Sequence, residues 1–270
     1  MVFSMRLFRW GIEVDSRARR TLRLRNHLYG SPYWGKINVV VAEFAEILIA
    51  SIRKGIAAVK KIIFPAAVIQ SVMIALAISY FYYIPLREVL DAVVRWKDHI
   101  GSSYFSFLSM GLIAVFAETL RCKSLCTLSN SGFIKASLFG FFVFGCLGLA
   151  TDAFYWGQNF IWKGLSTEAQ VPAKVLSDQF VWTVFFANPY QTFLYVLKDC
   201  RFDLQLFVNR IFPFNTFYAR EVLAVLITNW GFWIPTACII YSLPLNLQLI
   251  ISRLAILIWV LLLTTITSKE

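Results

Sequence analysis

Two long apolar segments near the C-terminus, over residues 221–259, constrain the fold of this chain more than any other feature. They read EVLAVLITNWGFWIPTACIIYSLPLNLQLIISRLAILIW and meet at a short connection that contains Pro244. In a helix, about 20 apolar residues rising ~1.5 Å each cross the ~30 Å hydrocarbon core of a bilayer. Each segment is therefore long enough to span a membrane.

The same segments contain side chains that lipid disfavours. Asn229, Trp233 and Thr236 are spaced at i, i+4 and i+7, so they share one face of a helix. Their polar atoms are expected to face other helices, because hydrocarbon offers no hydrogen-bond partner. Two interpretations stay open for Asn229, namely an interhelical hydrogen bond or the lining of a pore.

Three prolines are predicted to bend or reverse the chain. Pro235 removes the hydrogen bond to the carbonyl of Gly231, which predicts a kink in the first C-terminal segment. Pro244 ends that helix and forces a tight reversal, and Pro189 lies inside an earlier apolar segment.

Composition places the chain among multi-pass membrane proteins. Hydrophobic residues make up 59% of it and charged residues only 15%, whereas soluble domains carry about 25% charged residues. We predict an all-α, polytopic transmembrane helix bundle of about six segments. Besides the two C-terminal segments, the predicted spans cover residues 62–83, 103–120, 133–156 and 175–197.

The predicted spans divide the chain into three regions. Residues 1–61 form a basic N-terminal arm that includes an amphipathic helix over 38–50, predicted to lie at the membrane interface. Residues 62–102 hold one additional span and a polar linker, and residues 103–270 hold the rest of the bundle.

The placement of the net charge of +11 predicts an orientation and a partner. With the N-terminus inside, 20 of the 26 Lys and Arg residues fall in inner segments and 5 in outer loops. Both termini are therefore expected on the cytoplasmic or matrix side. The basic arm suits anionic lipid head groups. No zinc spacing or RNA-binding motif accompanies the charge, so no nucleic-acid partner is expected.

The residues that usually carry catalysis or metal binding are sparse. Five cysteines lie in apolar surroundings and form no disulfide pattern, and neither His27 nor His99 is near Cys122 or Cys126 in sequence. No metal site and no cofactor are expected. Protease and hydrolase motifs such as H-E-x-x-H and G-x-S-x-G are also missing, so the sequence favours a protein that is not an enzyme.

Several charged residues are predicted near the ends of spans. Asp152 lies near the far end of the third span, Asp178 opens the fourth together with the uncharged Gln179, and Arg253 lies inside the sixth. We expect Arg253 to pair with Asp152 or Asp178 at the outer mouth of the bundle, since pairing lowers the cost of a charge in lipid. The alternatives are that Arg253 extends alone to the interface and that Asp178 caps its helix.

Two further expectations concern helix contacts in the first half of the bundle. Glu118 is predicted to pair with Arg121, three residues later on the same helix. In the third span, Gly140, Gly145 and Gly148 are predicted to let another helix approach closely.

The C-terminal segments also match a family pattern. The run Leu226–Asn229 is followed by Trp233, Pro235, Tyr241, Leu243–Pro244 and Trp259, and upstream Lys174 precedes Asp178–Gln179. This pattern resembles the signature of the Mpv-seventeen/peroxisomal membrane protein family over about residues 103–268. Ile234 separates Trp233 from Pro235, and Asp152 stands where the family has histidine, so the chain is similar to a divergent, prokaryotic member.

The resemblance implies a channel or pore that passes small solutes or metabolites. The alternative is a non-transporting membrane scaffold or assembly factor that holds partners or lipid with its basic arm. A homo-oligomer is compatible with either. A bacterial inner membrane is favoured as the location, with the inner membrane of an organelle as the alternative.

Overall fold

The computed structural model describes residues 32–125 and 130–267, and within these ranges the chain is helical with no β-strand. In chain order the helices are α1 (Pro32–Tyr82), α2 (Ile84–Ile100), α3 (Ser102–Leu125), α4 (Asn130–Trp162), α5 (Thr167–Leu176), α6 (Asn188–Asp199), α7 (Leu204–Ile211), α8 (Phe214–Phe217), α9 (Leu223–Tyr241) and α10 (Leu245–Thr267). Two π-helical segments, Ser177–Ala187 and Tyr218–Val222, join α5 to α6 and α8 to α9. Most of the basic arm, with His27, lies outside the described residues.

Four stretches are long and apolar enough to cross a membrane: Phe44–Tyr82, Ser102–Leu120, Gly132–Trp162 and Phe214–Tyr241. Their large apolar side chains face outward, as lipid-facing residues do, and Phe64 for example is 77% exposed. The all-α class is therefore confirmed for the described residues, and these four helices indicate an integral membrane protein. Within the described residues, the apolar part of α10 is shorter, at Leu245–Leu261.

Helix α1 differs from the predicted arrangement. The expected interfacial helix over 38–50 and the expected first span, 62–83, belong to one helix of 51 residues. Its buried positions recur every three or four residues on both sides of Lys60 and Lys61, at Ser51, Gly55, Ala58, Ile62, Ala66, Ile69 and Met73. One continuous face therefore packs on the bundle, and this packing keeps the helix intact across the lysine pair and Pro65.

The polar linker predicted before the second span is the amphipathic helix α2. Leu90 and Val94 are buried on one side of it. Lys97 is also buried, and its Nζ donates to the carbonyl of Asn246 at 3.4 Å, which ties α2 to the start of α10. The linker is thus part of the packed structure.

Helices α3 and α4 form a closely packed antiparallel pair. A Cβ atom at Gly145 would lie 2.7 Å from the Phe107 ring, and one at Gly148 would collide with the backbone carbonyl of Ser106. Gly140 is less crowded, with Ala114 at an ordinary contact distance. The predicted close approach is confirmed at Gly145 and Gly148.

The largest apolar core joins α1, α9 and α10. Phe232 of α9 is fully buried and stacks on Trp259 of α10, with ring centroids 4.1 Å apart. Gly55 of α1 lies against Ile227 of α9, where a Cβ atom would come within 2.7 Å. This core holds the C-terminal helices in place and so fixes the wall of the site described next.

Candidate functional site

A cavity of about 110 Å³ lies between α3, α4, α6, α9, α10 and the first π-helical segment, Ser177–Ala187. We call this cavity the central cavity and Ser177–Ala187 the π-helical segment. A single water needs only about 10–15 Å³ of such space, so the central cavity has room for several waters or a small solute. Its walls combine apolar side chains with many polar ones.

Five of the residues predicted for a site line this cavity. They come from three separate parts of the sequence and are Asp178, Gln179, Asn229, Trp233 and Arg253. Tertiary packing therefore brings together residues as far apart in sequence as Asp178 and Arg253, which are separated by 75 positions.

Two predicted residues lie elsewhere. Thr236 is fully buried and its hydroxyl donates to the carbonyl of Phe232 in its own helix at 2.8 Å, so it does not reach the cavity. Asp152 accepts hydrogen bonds from Ser102 at 2.7 Å and Ser103 at 3.2 Å. Its carboxylate thus anchors α4 to the start of α3.

Arg253 does not form the expected ion pair. Within the described part of the chain, no carboxylate oxygen lies within 4.0 Å of its guanidinium, so neither Asp152 nor Asp178 is its partner. Its Nη2 donates to the carbonyl of Gly148 at 3.4 Å, and the side chain is only 5% exposed. The Asp152 carboxylate is held instead by serine hydroxyls, which explains the difference.

Asp178 is bound inside the bundle. The Tyr241 hydroxyl donates to its Oδ2 at 3.0 Å. The alternative that Asp178 caps a helix is wrong, because the helical stretch begins at Thr167, 11 residues earlier. Asp178 therefore lies in the interior of that stretch and joins it to the C-terminal end of α9.

The π-helical segment places its residues on the cavity wall. In a π-helix the backbone bonds run from i to i+5, which widens each turn, and such segments are frequent at functional sites. Asp178, Trp182, Thr183 and Ala187 therefore fall on one side and line the cavity. Pro189 follows the segment at the start of α6, where its missing N–H coincides with the change in hydrogen-bond register.

The two other prolines lie in α9 and at its end. Helix α9 continues through Pro235 from Leu223 to Tyr241. The chain reverses at Pro244, whose carbonyl accepts from the backbone N–H of Leu247 at 2.9 Å. Pro244 therefore marks one end of the bundle, as predicted for a tight turn.

Several buried polar atoms on the cavity wall have no hydrogen-bond partner. They are Oε1 of Gln179, both amide atoms of Asn188 and Nε of Arg253. All three side chains are at most 5% exposed. An unpaired polar group in a low-dielectric interior is costly, so such groups mark places where water or a ligand supplies the missing bonds.

Sequence reasoning missed three polar residues of this wall, Thr183, Asn188 and Gln191. A signal was present, because Gln179, Thr183 and Gln191 recur at multiples of four residues within an otherwise apolar span. Tyr155 and Ser252 were also missed, and both line the cavity. Tyr155 of α4 packs on Tyr241 of α9 with ring centroids 5.6 Å apart, and this contact between helices has no counterpart in sequence spacing.

A second pocket, of about 500 Å³, lies at the end of the bundle that contains Pro244, and we call it the Pro244 pocket. Tyr241, which donates to Asp178 of the central cavity, is part of its lining. Lys174 also lines it, and burial lowers the pKa of this lysine, which disfavours its charged form.

A small third pocket, of about 20 Å³, lies on the other side of the central cavity, and we call it the Glu118 pocket. It shares Ala114, Phe144 and Gln191 with the central cavity. Here Lys198 lies 3.5 Å from Glu118, which is buried. The Arg121 side chain expected to pair with Glu118 is outside the described part of the structure.

No family model, no curated protein and no solved structure matches this chain. Among the described residues, no group of three or more His, Cys, Asp or Glu side chains could hold a metal ion. The central cavity, the Pro244 pocket and the Glu118 pocket are therefore the features that bear on function.

Proposed function

We propose that this chain is a multi-pass membrane protein that lets small polar solutes cross the bilayer through its helix bundle. One observation carries the proposal: the Pro244 pocket, the central cavity and the Glu118 pocket follow one another along the bundle. A hydrogen bond between Tyr241 and Asp178 connects the wall of the Pro244 pocket to the wall of the central cavity. The central cavity and the Glu118 pocket have lining residues in common.

The polarity of the path supports transport over a purely structural role. Polar side chains inside a membrane protein are costly and usually face a partner or a wet cavity. Around the central cavity, Oε1 of Gln179 and both amide atoms of Asn188 lack protein partners. A passing solute or water chain would provide them.

Two contacts lie where the three spaces adjoin one another. The Tyr241–Asp178 hydrogen bond lies between the Pro244 pocket and the central cavity. Gln191, which is 7% exposed, lies where the central cavity meets the Glu118 pocket. We propose that these contacts restrict passage to small solutes.

Reconstitution tests the proposal. The purified full-length chain in liposomes should pass small polar solutes, measured by osmotic swelling with solutes of graded size. Gln191→Leu should lower the rate roughly tenfold or more, since it removes a polar group from the path where the central cavity meets the Glu118 pocket. Gln205→Leu, at an exposed position of α7, is the matched control and should leave the rate unchanged.

A non-transporting scaffold is the second candidate, favoured by the dense apolar core of α1, α9 and α10. If the wild-type chain passes no solute of any size, the pore proposal fails and the scaffold becomes the better reading. A Gln191→Leu variant that keeps the full wild-type rate would contradict the proposed path.

We also propose that the chain is a divergent member of the Mpv-seventeen family in a bacterial inner membrane. What supports this is the position of the signature residues: Asn229 and Trp233 line the central cavity, and Trp259 packs on Phe232. Solute passage can be measured for variants in which Asn229, Trp233 or Trp259 is replaced. Variants that retain the full rate would show that these signature residues are not required for passage.

A further inference from the structure

We infer that the central cavity binds a small zwitterion, a solute that carries one anionic and one cationic group. This inference names the solute class for the proposed function and rests on it. It is carried by two opposite charges that line the same cavity without pairing, the buried Arg253 and the half-buried Asp178.

Arg253 provides the site for the anionic group. Its guanidinium has five N–H donors. Within the described structure it makes one hydrogen bond, to the carbonyl of Gly148. Its Nε is buried with no acceptor. Asp152 acts on the guanidinium only from beyond direct contact. A carboxylate of the solute would supply the missing acceptors and a counter-charge in direct contact, in the bidentate geometry that arginine favours.

Asp178 provides the site for the cationic group. Its neighbours are neutral donors, the Tyr241 hydroxyl and the Gln179 amide. No lysine or arginine nitrogen among the described residues comes within 4.0 Å of it. An ammonium group of the solute would therefore be its counter-charge.

Tyr155 lines the cavity together with the two charges, and its ring packs on Tyr241 with centroids 5.6 Å apart. Asp178 and Arg253 are both close enough to act on its hydroxyl electrostatically. A solute with a single charge would compensate one of the two groups and leave the other uncompensated in a low-dielectric space. A solute with both charges compensates both, so the cavity selects it over ions of either sign.

The remaining walls fit the same solute. The indole of Trp233 lines the cavity and is an aromatic group that an ammonium group can contact, whereas the Trp182 ring is stacked on Phe154 and Phe186. The unpartnered amide of Asn188 can donate to a carboxylate or accept from an ammonium. The volume of about 110 Å³ restricts the solute to a small one.

Binding to the purified full-length protein in detergent tests the inference. Glycine, β-alanine and 4-aminobutyrate serve as zwitterions of increasing charge separation, with butyrate and butylammonium as single-charge analogues. We expect at least one zwitterion to bind and to raise the melting temperature, and both analogues to bind at least tenfold more weakly. This comparison uses the wild-type chain and depends on no variant.

Variants then locate the two charges. Arg253→Gln and Asp178→Asn should each weaken zwitterion binding roughly 10–100-fold, since each loses one charged hydrogen-bonding partner. Thr236→Val, buried in the same bundle but away from the cavity, should leave binding unchanged.

Three results would overturn the inference: no binding of any zwitterion, equal binding of butyrate, or equal binding of butylammonium. Passage of solutes in liposomes without selective zwitterion binding would overturn this inference alone. Selective binding in detergent with no passage in liposomes would overturn the proposed function and leave a zwitterion-binding site.

Discussion

Arg253 is the residue in which the cost of burial is most apparent. It is 5% exposed, it contacts a carbonyl, and its Nε has no partner. A charge at the centre of a membrane helix costs about 2.5–3.5 kcal/mol, and removing a buried charge that is not well compensated can stabilise a fold. A residue retained at such a cost is expected to serve binding more than folding.

Arg253→Met should separate these two roles. We expect the melting temperature in detergent to stay the same or rise, because an uncompensated charge is replaced by an apolar chain of similar length. Solute passage should fall at least tenfold. A variant with a clearly lowered melting temperature would show that Arg253 stabilises the bundle instead, and Arg210→Met, on the exposed α7, is the matched control.

The helix contacts of α4 and α9 decide how tightly the path is enclosed. Gly148 brings α4 against Ser106 of α3 and also offers its carbonyl to Arg253. Tyr241, at the end of α9, connects to Asp178 of the π-helical segment. The small residue Gly148 allows the close approach of α4 to α3. The Tyr241 hydroxyl alone makes the hydrogen bond from α9 to Asp178.

Gly148→Ala should destabilise the α3–α4 pair by about 1–3 kcal/mol, because the added methyl group would collide with backbone that cannot move aside. Thermal unfolding in detergent measures this. Gly157→Ala is the matched control in the same helix, since a Cβ atom there meets nothing within 4 Å. Equal stability of the two variants would argue against close packing at Gly148.

Tyr241→Phe should raise the rate of solute passage several-fold, since it removes the hydrogen bond to Asp178 and keeps the ring that packs on Tyr155. The swelling rate of liposomes measures the effect. Tyr218→Phe removes a comparable hydrogen bond, from the hydroxyl to the carbonyl of Val184, away from the cavity, and should have no effect. An unchanged rate for Tyr241→Phe would mean that this bond does not restrict the path.

The number of crossings depends on the stretch from α5 to α6. Its three parts have 10, 11 and 12 residues, and each is too short to count as a span by itself. The outward face is nonetheless apolar, with Phe185 75% exposed. A continuous helical stretch with an apolar outer face supports the predicted crossing over 175–197.

Labelling from one side of the membrane tests this crossing. With the native cysteines replaced by alanine, single cysteines at Gly164 and Gln205 should react with an impermeant maleimide from opposite sides. Both positions are exposed, and a Cβ atom at Gly164 meets nothing within 4 Å. Labelling of both from the same side would remove the crossing and reduce the count of six.

The sequence alone determined the membrane class and several cavity residues, because burial in lipid imposes a local rule. An apolar run of sufficient length must be a helix, and polar groups such as Asn229 and Arg253 within it must face inward. That rule holds one helix at a time. It therefore pointed to individual residues that line the central cavity without identifying their neighbours.

The tertiary structure alone decided which of these residues meet. Asp152 was expected near Arg253 but is held by Ser102 and Ser103, while Glu118 lies beside Lys198, 80 residues away. The helical stretch that begins at Thr167 also places Asp178 inside a helix and on the cavity wall, which removes the alternative that it caps a helix. Pairing depends on the rotation and depth of each helix against all the others, and these are set by packing at glycines and aromatic rings far from the charges.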